Sequence, residues 1–198
     1  MAKIDLELIQ QLRQRTGVGM LDCRKALEES GGDIEEAIKI LRKKGAAVAQ
    51  ARASKETAEG IVHSYIHPGG RVGVLIEVNC ETDFVARTSD FVQFASDIAM
   101  HIAAFKPLYL SPEAVDPIFL EREKEIVKAQ LMNSGKPEKI INQIIEGKIS
   151  KVYEEVCLLK QSFVKNDQLK VEDVLKELIA KTGENIKIAR FARYEIGS

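Results

Sequence analysis

Cys80, Glu81 and Asp83 place a thiol and two carboxylates within one short stretch. A thiol beside a base suggests nucleophilic catalysis, but no His flanks Cys80, and a carboxylate neighbour raises a thiol pKa rather than lowering it. A packed or half-exposed structural thiol is the simpler reading. Glu77, Glu81 and Asp83 could ligate magnesium, yet the stretch lacks the repeated oxygen ligands of a calcium loop. His63, His67 and His101 have no partners at metal-ligand spacing, and no Cys-x-x-Cys occurs. Nor does a Gly-x-x-x-x-Gly-Lys loop exist to cradle phosphates. We therefore expect no catalytic residue, no cofactor and no metal, and read the chain as neither an enzyme nor a GTPase. Phe84 remains, a large apolar ring beside Asp83 in a polar turn. Such a ring either folds back into its own core or is presented to a partner.

The elements around that turn follow from periodicity. Val72, Val74, Ile76 and Val78 alternate with Gly73, Leu75, Glu77 and Asn79, the period of a half-buried strand. Phe91, Phe94, Ala95, Ile98 and Ile102 recur at helical spacing and predict a helix over Phe91 to Ala104. Ile61 to Ile66 reads as a partner strand, joined to the first through the hairpin signal His67-Pro68-Gly69-Gly70. Ile186, Ile188, Arg190, Ala192, Tyr194 and Ile196 alternate as a terminal strand with one apolar face. Its return to the hairpin predicts a three-stranded antiparallel sheet covered by helices. Those helices start at Ser111-Pro112 and Asp116-Pro117, where a capping residue precedes a proline. The second start leads a charged helix, Ile118 to Met132. Ile140, Ile141, Ile144 and Ile145 mark another, ended at Gly147, and Val152, Tyr153, Val156 and Cys157 one more. Val174, Leu175, Leu178 and Ile179 mark the last, capped near Gly183.

The N-terminal part is all helical. Asp5 can cap a helix whose Leu8, Ile9 and Leu12 share a face, and Thr16-Gly17-Val18-Gly19 ends it. A second helix turns Cys23, Ala26 and Leu27 inward before Gly31-Gly32. Asp33, three residues ahead of Glu36, starts a third that carries Ala37, Ile38 and Leu41, and Gly45 suits its C-cap. Ala46 to Ala58 is Ala-rich with scattered Lys and Arg. Its basic residues could touch RNA, although a solvated helical connector is the simpler reading. The predicted fold class is α+β: a three-helix domain over 1–45, a helical linker over 46–59, and a helix-and-sheet core domain over 60–198.

Among 198 residues, 29 Lys and Arg oppose 30 Asp and Glu, leaving a net charge of −1. No overall field exists to hold nucleic acid, so no direct nucleic-acid partner is expected. No apolar run approaches the roughly 20 residues that span a bilayer, and Met1-Ala2-Lys3-Ile4-Asp5 lacks a signal-peptide core. Cys23, Cys80 and Cys157 are too few and too far apart for a secreted disulfide framework, though one intersubunit disulfide stays compatible with them. These features predict a cytoplasmic protein without a membrane partner.

The stretch Glu77-Val78-Asn79-Cys80-Glu81-Thr82-Asp83-Phe84-Val85-Ala86-Arg87 resembles a signature of the translation elongation factor Ts family, with Thr82, Asp83, Phe84 and Val85 matching its turn without substitution. The resemblance implies a guanine-nucleotide exchange factor for elongation factor Tu, meeting both its GDP-bound and nucleotide-free forms. It implies that the Thr82–Val85 turn enters the GTPase near the magnesium and phosphate site, where Phe84 would act as a wedge. Leu12 to Leu27 is similar to the family's second signature, departing at Arg24, a position that is commonly Lys. That similarity implies a bundle like the ubiquitin-associated (UBA) fold, docking on the GTPase's nucleotide domain with Arg13, Met20 and Leu21 as contacts. Met20 and Leu21 could instead pack the bundle itself. Tyr153 to Leu159 and Gly183-Glu184-Asn185-Ile186 also look like the family, so the resemblance covers nearly the whole chain.

Longer members of this family carry two related core subdomains, whereas one copy is present here. Tyr65 to Arg71 resembles the hairpin by which the second subdomain touches another GTPase domain, which makes His67 a contact candidate. One copy cannot readily occupy both places, so the resemblance implies a homodimer joined through the sheets. Two other classes compete: a ubiquitin-binding adaptor, which leaves the Phe84 turn unexplained, and an RNA- or ribosome-binding protein, which the near-neutral charge disfavours.

Overall fold

Apolar residues three and four apart fold the start of the chain into three helices. A computed structural model describes residues 4–131 and 137–197. The helices are α1 (Leu6–Thr16), α2 (Met20–Glu29) and α3 (Ile34–Arg52). Their shared core is Ile9, Leu12, Cys23, Ala26, Leu27, Ala37 and Leu41. Gly17, in the left-handed region at φ 67°, closes α1 by donating its N–H to the Arg13 carbonyl. Asp33 caps α3, its carboxylate accepting from the Glu36 N–H.

Gly45 does not end α3. The helix runs on to Arg52, and a Cβ on Gly45 would lie 3.0 Å from that of Ala180. Gly45 thus serves close helix packing, and the predicted stop at this residue is corrected.

Next come β1 (Glu59–Ile66), β2 (Val72–Cys80), the one-turn helix α4 (Asp83–Ala86) and the long helix α5 (Ser89–Phe105). Helices α6 (Pro117–Leu131) and α7 (Glu138–Val156) follow, then a small hairpin of β3 (Ser162–Phe163) and β4 (Asn166–Lys170). The hairpin was not expected from the sequence. The chain closes with α8 (Val171–Thr182) and β5 (Ile186–Glu195). The strand order β1-β2-β5 gives the predicted α+β class with its three-stranded antiparallel sheet. No described helix is long and apolar enough to cross a membrane.

The chain divides into two compact units. The first comprises Met1–His63, Ile76–Ser96 and Asp173–Ala189. Besides the three-helix core, it buries Ile76, Val78, Cys80, Phe91, Ala95 and Ile186. Val78 and Cys80 continue the alternation that predicted β2. Gly60, at φ 152°, comes so near the Val78 carbonyl that a Cβ there would stand 2.2 Å from its oxygen.

The second unit comprises Ser64–Leu75, Asp97–Glu172 and Arg190–Ser198. Within it, α6 and α7 pack side by side, with Lys148 Nζ donating to Gln130 Oε1 at 2.9 Å. Gly147 lies inside α7 with open space around it, so one helix stands where two were predicted. A lone glycine costs a helix only about 1 kcal/mol relative to alanine, and packing along α7 outweighs that. Met132, the predicted end of α6, lies outside the described residues, as do Met1 to Lys3.

In the same unit His101 is fully buried in α5 and stacks on Phe105 at 4.7 Å between ring centroids. Its Nδ1 accepts from the Val164 N–H, and its Nε2 lies 2.9 Å from Gln161 Oε1. The Gln161 amide in turn donates to the Glu155 and Phe105 carbonyls.

The predicted apolar face of β5 is covered only at its start. Ile186 and Ile188 are buried, but Tyr194 and Ile196 are exposed. Arg193 is turned instead toward the end of α5, where its guanidinium donates to the Ala103 carbonyl, one of the acceptors a helix terminus leaves unpaired. Tyr194 and Ile196 therefore join Ile66 and Leu75 around an open depression of about 550 Å³.

Candidate functional site

Strand β2 ends at buried Cys80, and the chain must then turn before α5 can begin. Thr82, in extended backbone, caps the single turn of α4, its hydroxyl accepting from the Val85 N–H at 3.4 Å. Ala86 is buried and anchors the far end of that turn. Residues on a helix are about 100° apart, so Phe84, two positions before Ala86, points to the opposite side. Its ring is 79% exposed. Folding back into the core is thereby excluded for this ring within the chain.

Asp83 and Val85 are half-buried. The Asp83 carboxylate receives Arg87 at 2.8 Å, an i,i+4 pair at the surface. Beyond it, Thr88 donates its hydroxyl to the Val85 carbonyl and accepts from the Phe91 N–H, which starts α5. Residues 82–85, all expected at the site, therefore stand together on one capped turn.

A second loop, between α8 and β5, supports the first within the same unit. Glu184 accepts from Thr82 twice: Oε1 from the hydroxyl at 2.6 Å and Oε2 from the backbone N–H at 3.1 Å. Glu81 reciprocates, Oε1 accepting from the Asn185 N–H at 2.6 Å while Oε2 pairs with Arg52 at 3.3 Å. The Asn185 amide also donates to the Lys55 carbonyl at 2.7 Å. Local reasoning missed this support because Thr82 and Glu184 are far apart in sequence. Only the family-like stretch Gly183-Glu184-Asn185-Ile186 hinted at it.

Cys80 is buried, and its surroundings disfavour the thiolate that a nucleophile needs. Burial, aided by the Glu184 charge, pushes its thiol up to about 11, and its Sγ donates to the Thr82 carbonyl at 3.1 Å. Among the described residues, no three His, Cys, Asp or Glu side chains gather in a way that could hold a metal ion.

Arg13 and Leu21 are exposed on the three-helix bundle, Leu21 to 65%, whereas Met20 is half-buried and packs against the bundle core. His67 belongs to the second unit, exposed at the tip of the β1–β2 hairpin with its Nδ1 3.1 Å from the Tyr65 hydroxyl.

Comparison with known proteins agrees with the two motifs. A family model described as "Elongation factor TS" matches residues 7–198. The chain is 54% identical over 197 residues to an elongation factor Ts of Desulforamulus reducens, covering 100% of this chain and 91% of that protein. It is 54% identical to one of Thermotoga petrophila, covering 98% and 97% of the two chains. A third, from Syntrophus aciditrophicus, is 55% identical over 96% of this chain and 94% of its own length. A turn matching the family signature, an exposed ring at its tip and similarity along the full length lead to one conclusion: this chain belongs to the elongation factor Ts family.

Proposed function

We propose that the chain promotes GDP release from elongation factor Tu by inserting the Thr82–Val85 turn near the magnesium and phosphate site. Family membership implies nucleotide exchange on elongation factor Tu during translation elongation. Such exchange needs no covalent step. The factor has only to bind the nucleotide-free GTPase better than the loaded one, and linkage then weakens nucleotide binding by the same factor. The observation that carries the reading is the exposure of Phe84 on a pinned, capped turn.

Burying that ring in a partner is worth roughly 1.5–3 kcal/mol, and each 1.4 kcal/mol is about a factor of ten. Phe84 alone thus accounts for roughly one to two decades of loosening, and further surfaces supply the rest. Asp83, already paired to Arg87, positions the turn and disturbs the network around the partner's metal. In this reading 1–45 is a UBA-like docking module that uses Arg13, Met20 and Leu21. Residues 46–59 connect it to the core over 60–198, and His67 contacts a further GTPase domain. A homodimer joined through the sheets, acting in the cytoplasm, completes the picture. Its support is the exposed apolar set of Ile66, Leu75, Tyr194 and Ile196.

The decisive measurement is stimulated release of labelled GDP from elongation factor Tu. Phe84→Ala is expected to fold as the parent does and to slow release by at least about tenfold. A folded variant with an unchanged rate defeats the wedge. Light scattering addresses the dimer: a monomeric mass at full exchange activity would exclude it.

A further inference from the structure

A four-residue helix cannot hold itself in place, because one turn does not repay the entropy of nucleation. The largest side chain of α4, Phe84, contributes little anchoring, being mostly in solvent. The orientation of its ring is therefore inherited from the backbone of residues 82–86. Buried Ala86 holds the far end of that backbone and the Thr82 cap the near end, and the cap depends on where the single hydroxyl hydrogen of Thr82 points.

An ionised carboxylate can only accept hydrogen bonds. With the hydroxyl hydrogen committed to Glu184 Oε1 at 2.6 Å, the Thr82 oxygen turns its lone pair to the Val85 N–H. The second carboxylate oxygen takes the Thr82 N–H at 3.1 Å, so that both donors of one residue end on one carboxylate. Glu184 is itself held. Gly183, at φ 73°, closes α8 on the Ile179 carbonyl, and Asn185 is bound to Glu81 and Lys55 on its other side.

We infer that Glu184 is the positioning residue of the Phe84 turn: its carboxylate sets the polarity of the Thr82 cap and holds the ring in its presented orientation. The inference rests on the exchange reading given above. A turn ordered beforehand spends no binding energy on becoming ordered at the partner's surface. Glu184 thereby acts on the release step through Thr82, without touching the partner itself.

The test uses the full chain, with amide hydrogen exchange at Val85 and the maximal rate of stimulated GDP release as paired readouts. Glu184→Ala is expected to speed Val85 exchange and slow release by about tenfold, the equivalent of one hydrogen bond to a charged group. Thr82→Ala should also speed Val85 exchange and slow release. The double variant should lose less than the two single losses combined, since the changes share the hydroxyl contact while Thr82→Ala keeps the backbone N–H bond to Oε2. In a Phe84→Ala background, Glu184→Ala should add less than about twofold, because the ring it orients is gone. Glu184→Gln, of the same shape but with one acceptor replaced by a donor, should fall between, and it replaces Glu184→Ala if that variant does not fold. A Glu184 variant that releases GDP at the parental rate while Phe84→Ala is slowed overturns the inference alone. So does an equal Glu184 effect with and without the Phe84 ring. Full activity of Phe84→Ala overturns the wedge reading instead, and the Val85 amide then tests the cap alone: an unchanged Val85 exchange rate in Glu184→Ala overturns the positioning role as well.

Discussion

Lowering the pH from 7.5 to 5.5 should destabilise this protein through one buried ring. His101 is fully buried, and its Nδ1 already accepts the Val164 N–H. The Nε2 must then carry the proton and donate to Gln161 Oε1, which defines the neutral tautomer. Protonation would set a second N–H against the Val164 N–H inside the core. Burial lowers the His101 pKa below its ordinary 6.5, the Gln161 contact opposing it in part. The sign follows directly. Below 6.5 the unfolded chain takes up a proton that the folded chain resists, so stability is full above that value. It is lost as the pH falls through 6.5 toward the folded pKa. If the folded state stays neutral throughout, the loss between pH 7.5 and 5.5 reaches about 1.4 kcal/mol, one proton over an effective one-unit span. Urea unfolding at pH 7.5, 6.5 and 5.5 measures this, with His101→Gln as the non-titrating reference. The parent should lose more stability than His101→Gln across the interval. Parallel losses in the two proteins would refute the reasoning.

Two glycines should respond in opposite ways to alanine. Gly147→Ala, within α7 and in open space, should raise stability by about 0.5–1 kcal/mol in the same urea assay. Gly60→Ala should lower it by more than about 1–3 kcal/mol, the cost of its positive φ alone, because the new Cβ also meets the Val78 carbonyl; a neutral result would contradict that close approach. All three cysteines are buried and free, and burial raises each thiol pKa. A thiol reagent at pH 8 should therefore label Cys23, Cys80 and Cys157 only as fast as the chain opens. Rapid labelling of the folded protein would count against it.

Much was legible from local pattern because the forces that set it are local. The apolar alternation of Val72 to Val78, the His67 to Gly70 hairpin, the Asp33 cap and the inward set Cys23, Ala26 and Leu27 each follow from backbone geometry and solvent exclusion over a few residues. The Thr82-Asp83-Phe84-Val85 turn was likewise readable, and with it the family. Tertiary structure decided what depends on distant partners. Gly45 and Gly147 look like stops, but a neighbouring helix can stabilise a helix through either residue. Arg193 alternates as a surface residue would, until α5 offers it an unpaired carbonyl. The ring of Phe84 could have faced inward or outward by composition alone. Its outward direction came from buried Ala86 and from Glu184, which is 102 positions from Thr82 and reaches it only when the chain is folded.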